Sequence, residues 1–256
     1  MADSASRPVL SAWQQLPGDH QPSLRCWWSR PASGAPRAAV LVLPEVFGVN
    51  AWVRSVADRL AAEGYAALAL PIFARTAPQF EVGYDAAGLE LGRRHRDQVT
   101  AAGCLEDARR AIAWLQGQPG LEGRPVGCVG FCFGGHLALL VAGLEGVAAT
   151  CDFYGARVSV FRPGGGPPSL EQLPGISGDL LCLCGEDDPL MPEPERQAIA
   201  AALEADSRRD PARLRRLVLA PGAGHGYMCE QRADHNPSAA AEGWRLMLEL
   251  FARRLG

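Results

Sequence analysis

The stretch "VGFCFGGHLALL" (residues 129–140) decides how this chain is read. An apolar run with strand character ends at Gly130, a cysteine follows two residues later, and two further glycines open an apolar, helix-like run. A glycine–X–cysteine–X–glycine hinge between strand and helix has the form of a nucleophile elbow with cysteine in the serine position, because such a turn brings the two backbones too close for side chains at the glycine positions. It would lift Cys132 clear of the sheet and direct the N–H of Phe133, at the start of the helix, toward the place where an oxyanion forms. Taken alone, the motif also fits a glycine-rich turn holding a buried thiol. What surrounds it decides between the two.

Outward from the hinge, apolar runs alternate with amphipathic ones. "RAAVLVLP" (37–44), "YAALALP" (65–71), "RPVGCVG" (124–130), "GVAATCDFYG" (146–155), "DLLCLCG" (179–185) and the start of "RLRRLVLAPGAGH" (213–225) read as strands. Residues 50–64, 97–116, 193–205 and 238–255, with the run after the hinge, read as helices. Between them lie an irregular segment, 72–94, suited to a binding loop, and a glycine- and proline-rich excursion, 162–178. The alternation predicts a single α/β domain over residues 1–256, with a mostly parallel central sheet covered by helices on both faces.

Ligand sites in such sheets form at the carboxyl ends of the strands. Here those ends carry Glu45, Cys132, Asp187 and Asp188, and His225. The order thiol, acid, imidazole is the one an α/β-hydrolase sheet requires. Asp188 is the better acid, reaching back over the strand end, while Asp187 suits the turn itself. Singly, Asp188 reads as a turn residue, Glu45 as a solvated or helix-start carboxylate, and His225 as a backbone-bonding loop histidine; together they read as a site. His20, His95, His136 and His235 receive no role, and Tyr154 is a candidate for lining the pocket.

Composition narrows the function. Twenty-five basic against twenty-eight acidic side chains, formal net charge −3, provide no electrostatic footprint for nucleic acid or an anionic membrane, so the expected partner is a small molecule, with the chain a monomer or small homo-oligomer. All the basic residues are arginine, which removes lysine chemistry. The N-terminal stretch lacks a basic segment followed by a long apolar one, and the eight cysteines fit reduced thiols, so a cytoplasmic location is expected. Cys128, Cys182 and Cys184 fall within strand-like runs as small core hydrophobes. No cysteine and histidine cluster at ligand spacing and no dinucleotide fingerprint is present, so neither metal nor cofactor is expected.

"LPEVFGVNAWVRSVADRLAAEGYAALALP", "VGFCFGG", "GEDDPLMP" and "GAGHGY" together resemble the dienelactone hydrolase family, the cysteine branch of the α/β-hydrolases, over roughly residues 37–255. The resemblance implies a Cys132–His225–Asp188 triad, Glu45 beside the thiol, and an oxyanion hole from the N–H groups of Val46 and Phe133. It implies hydrolysis of a lactone or small ester through a thioester. It also implies, for members acting on the carboxylated lactone, an arginine shortly after the histidine, near Cys229, and another in the middle segment. "HGYMC" has no such arginine, and Arg75, Arg93 and Arg94 are the candidates for the second. The alternatives are a carboxylesterase or thioesterase of another substrate class, and a non-catalytic α/β module binding a ligand in the same cleft.

Overall fold

Three runs, Ala39–Leu43, Val126–Phe131 and Asp179–Gly185, are buried at every position, the pattern of strands covered on both faces. In a computed structural model of the chain, which describes residues 7–18 and 21–256, they form the centre of an eight-stranded sheet. His20 and residues 1–6, on which part of the N-terminal reading rests, lie outside the described residues. The strands are β1 (Val9–Gln15), β2 (Arg25–Pro31), β3 (Ala39–Leu43), β4 (Ala66–Ala69), β5 (Val126–Phe131), β6 (Val147–Phe153), β7 (Asp179–Gly185) and β8 (Arg215–Ala220), in spatial order β1-β2-β4-β3-β5-β6-β7-β8. Pairings from β4 through β8 are parallel; β1 and β2 add an antiparallel edge. This is the α/β-hydrolase fold.

The pleat sends neighbouring residues to opposite faces, and the two faces carry separate cores. Val40 and Val42 join one cluster with Val53, Val56 and Leu60 of α1 (Ala51–Ala62) and Leu246, Leu250 and Phe251 of α6 (Pro237–Leu255). Leu41 and Leu43 join the other, with Ala108, Ile112 and Leu115 of α3 (Ala101–Gln116) and Leu137, Leu140 and Val141 of α4 (Phe133–Val141). Helix α5 (Glu193–Arg209) contributes Ile199 and Leu203 to the first cluster. All eight cysteines are free, and those expected in strands, Cys128, Cys182 and Cys184, are buried there.

Three elements depart from the sequence reading. The β1–β2 hairpin precedes the first strand recognised; Asp58 of α1 fixes it by accepting hydrogen bonds from Ser11 (2.6 Å), Ser29 (2.6 Å) and the Trp27 indole (2.9 Å). The segment read as irregular, 72–94, holds most of α2 (Ala86–Arg96), which is capped by Asp85, whose side chain accepts from the Gly88 N–H at 2.7 Å. The helix expected from residue 97 starts at Ala101, because Thr100 caps it by accepting from the Gly103 N–H.

Candidate active site

Strand β5 runs into α4 through a single residue, Cys132, at φ 55° and ψ −118°. The turn is held at both ends: the Cys132 N–H donates to Phe153 O of β6 at 2.9 Å, and Cys132 O accepts from the His136 N–H at 3.1 Å. A Cβ on Gly130 would stand 2.0 Å from Gly134 O, and one on Gly134 would stand 2.4 Å from Leu43 O and Pro44 O, so both glycines are required by close backbone approach. Cys132 is half-buried; the other seven cysteines are buried. Neither the Phe133 nor the Val46 N–H is taken by an acceptor among the described residues.

The imidazole arrives from the loop after β8. His225 Nδ1 lies 2.8 Å from Asp188 Oδ2, both side chains being buried. Asp188 Oδ1 accepts the Leu190 N–H at 2.8 Å, which fixes the carboxylate, whereas Asp187 points to solvent with only its backbone N–H engaged, to Ala223 O. With Nδ1 committed, Nε2 is the ring atom left for Cys132. Burial pulls His225 down, but the neighbouring Cys132 and the hydrogen bond to Asp188 push it up to about 10, while Nε2 has no hydrogen-bond partner among the described residues. These neighbours favour the imidazolium form of His225.

Glu45 follows β3 and is fully buried. Its Oε1 accepts from Arg232 Nη1 at 2.9 Å; Oε2 has no hydrogen-bond partner. Burial raises its carboxyl above the ordinary range, opposed by the charges of Arg232 and His225. The ion pair keeps a carboxylate in the interior that would otherwise be costly to hold.

A cavity of about 560 Å³ opens over these groups, lined by Cys132, Phe133, Val46, His225 and the arginines 93, 96, 157 and 232. The substrate contacts expected from sequence fare differently. Arg93 lies on the wall. Arg75 does not: its guanidinium is bound to Asp107 (2.9 and 3.0 Å) and Glu106 (2.9 Å) of α3. Arg94 pairs with Glu90 one turn earlier on α2. Tyr154 is fully buried, its ring 5.1 Å from that of His225, and it supports the imidazole in place of lining the cavity. Sequence reasoning missed Arg232, which lies seven residues beyond His225 and not at the place of Cys229, together with Arg157 and His136. For His136 the only signal was its position one turn past Cys132; both its ring nitrogens are engaged, Nδ1 with Ala156 O and Nε2 with Ser169 Oγ, each at 2.8 Å.

Comparison with known proteins follows the same lines. The dienelactone hydrolase family profile matches residues 25–255. A Synechocystis protein provisionally named carboxymethylenebutenolidase is 37% identical over 227 residues, covering 89% of this chain and 90% of its own. The carboxymethylenebutenolidase of Pseudomonas putida is 29% identical over 219 residues, covering 85% of this chain and 86% of that protein. The crystal structure of a provisionally named dienelactone hydrolase from Klebsiella pneumoniae superposes with a TM-score of 0.83 over 96% of this chain and 100% of that one, at 24% identity.

Proposed function

Since the chain belongs to the dienelactone hydrolase family, and is thus a hydrolase acting on ester bonds, we propose that it opens lactones or cleaves small esters through a Cys132–His225–Asp188 triad. The observation that carries this reading is the raised thiol of Cys132, in the left-handed region, in one cavity with an imidazole locked to a buried carboxylate at 2.8 Å.

The Cys132 thiolate adds to the carbonyl carbon, and the electron pair moves onto the carbonyl oxygen, where the free N–H groups of Val46 and Phe133 receive it. Collapse expels the alkoxide, and the His225 imidazolium supplies its proton. In a lactone that alkoxide stays tethered, so prompt protonation prevents reclosure. The neutral imidazole then takes a proton from water, hydroxide adds to the thioester, and the thiolate leaves. Asp188 holds the ring so that Nε2 performs both transfers. Where Cys132 rests as a thiol, its proton passes to His225 Nε2 to give the same imidazolium, a state that the charge of the buried Glu45 favours.

Arg232 changes the substrate expectation drawn from "HGYMC". Its guanidinium reaches the cavity wall from outside that motif, with Nη1 held by Glu45 and Nη2 by Asp234. Arg93, on the same wall and without a carboxylate partner among the described residues, offers a carboxylate the bidentate geometry arginine favours, and Arg232 adds positive charge beside it, which supports a carboxylated lactone. Eight free thiols suit a reducing compartment, and no helix among the described residues is long and apolar enough to cross a membrane; we infer a cytoplasmic enzyme.

Hydrolysis of 4-nitrophenyl acetate tests the chemistry. Cys132→Ala and iodoacetamide treatment are each expected to lower turnover by on the order of 10³-fold or more, and wild-type rates in either would overturn the reading. Turnover of the carboxylated dienelactone is expected to exceed that of neutral esters; no preference would exclude that substrate class.

A further inference from the structure

The cavity carries more positive charge than one carboxylate uses. Arg232 is engaged by Glu45 (2.9 Å) and Asp234 (3.3 Å), and Arg96 by Asp97 (2.7 Å). Arg93 and Arg157, also on the wall, have no carboxylate partner among the described residues.

These two stand on different sides of the nucleophile. Arg93 belongs to α2, which is seated on the loop after β3: a Cβ on its neighbour Gly92 would lie 2.1 Å from Val46 O. Arg157 belongs to the loop after β6. In the sheet β3 and β6 flank β5, the strand that delivers Cys132, so a carbonyl at the sulfur has a free cation toward either side.

Arg157 is also built into its place. It holds φ 65°, a conformation that disfavours any residue with a Cβ and persists where surrounding structure imposes it. The turn is fixed by hydrogen bonds to Arg157 O from the N–H groups of Phe161 (2.9 Å) and Val160 (3.3 Å), and by the buried Val158, whose carbonyl accepts from Leu170 at 2.9 Å. The guanidinium lies 4.8 Å over the ring of Phe161, itself on the cavity wall and edge-on to the buried His136 at 5.9 Å. Stacking occupies a face of the guanidinium and leaves its N–H edge for a ligand.

We propose that Arg157, backed by Phe161, forms a second anion subsite, and that the substrates of this enzyme are esters or lactones carrying two carboxylates, one on either side of the scissile carbonyl. The proposal rests on the hydrolase reading of the cavity. A balanced probe set is phenyl acetate (neutral), phenyl hemisuccinate and 4-acetoxybenzoate (one carboxylate, on the acyl or the leaving side), and the hemisuccinate of 4-hydroxybenzoate (both). The wild-type enzyme is expected to favour the doubly charged ester, and Arg157→Gln to reduce its kcat/KM preference over phenyl acetate by about tenfold, mainly through KM, with Arg157→Lys retaining part of it. An unchanged preference in Arg157→Gln, or an equal fall for all four esters, would overturn the proposal. A binding arm is independent of turnover. By calorimetry, Cys132→Ala protein is expected to bind adipate more tightly than valerate, and Arg157→Gln in that background to remove the difference; adipate binding no better than valerate refutes the subsite. If none of the esters is hydrolysed, the hydrolase reading fails, and the adipate comparison alone decides whether Arg157 binds an anion.

Discussion

Cys132 occupies a backbone region that costs a residue with a side chain on the order of 1–3 kcal/mol, and its neighbours hold it there through hydrogen bonds at both ends of the turn. What the strain secures is a sulfur placed beside an imidazole whose protonation depends on it. Burial alone would depress His225; the Cys132 charge and Asp188 reverse this and bring it to about 10. Removing the sulfur in Cys132→Ala is therefore expected to lower the His225 pKa, read from the ring-proton shifts in an NMR titration, and an unchanged value would contradict the coupling. The sign for stability follows. A raised histidine stabilises the fold fully below its unfolded value, and this contribution is lost as pH rises through about 10. The places of Cys132, Asp188, His225 and Glu45 in the fold were legible because each follows an apolar run within a few residues, so that naming the strand also named the residues at its end. Arg232 was not, since a loop arginine carries no periodic signal, and its neighbourhood depends on where Glu45 of a distant strand lies. Arg75 misled for the converse reason: Glu106 and Asp107, which bind it, lie on a helix whose packing the sequence does not state.

Helix α4 is positioned by more than its apolar face. His136 ties it to Ala156 of the loop after β6 and to Ser169 of the 3-10 helix Ser169–Gly175, and burial pushes this histidine down to about 4 from an ordinary 6.5, with Arg157 and Arg162 lowering it further and Glu195 opposing. In the window between those values the unfolded chain binds a proton that the folded one refuses, so stability falls as pH drops from about 6.5 to about 4, by at most about 1.4 kcal/mol per unit for the one group. Urea midpoints at neutral and mildly acid pH are expected to show a shallower fall for His136→Gln than for the natural chain; equal slopes would remove His136 from the account. Elements with uniform burial or a clean apolar stripe could be read from sequence, β3, β5, β7 and α6 among them. Helix α2 could not, because its buried positions are Gly88 and Gly92 and no stripe of large apolar residues marks it. The β1–β2 hairpin escaped because β1 is an edge strand with mostly exposed or half-exposed positions, and its attachment depends on Asp58 far along the chain.

At the scale of the molecule, the order of strands performs the assembly. Parallel pairing of β3, β5, β6, β7 and β8 aligns their carboxyl ends, so residues separated by as many as 187 positions, as Glu45 and Arg232 are, meet at one rim. Two separate cores hold that rim rigid from both faces of the sheet, and α2 with the loop after β6 supplies the walls of the cavity above it. Sequence order alone could place the thiol, acid and imidazole at strand ends; it could not state which loop arginines would share their cavity. The function proposed for this cavity turns on one chemical event, the transfer of an acyl group to Cys132. Intact-mass and peptide mass spectrometry after acid quench of His225→Ala protein mixed with 4-nitrophenyl acetate measures that event directly, since loss of the base slows thioester hydrolysis more than it prevents acylation by so activated an ester. The account predicts a single acetyl group on the peptide containing Cys132, released by hydroxylamine and absent when Cys132 is also replaced by alanine; acetyl on another residue, with Cys132 unmodified while the natural enzyme turns over, would contradict it.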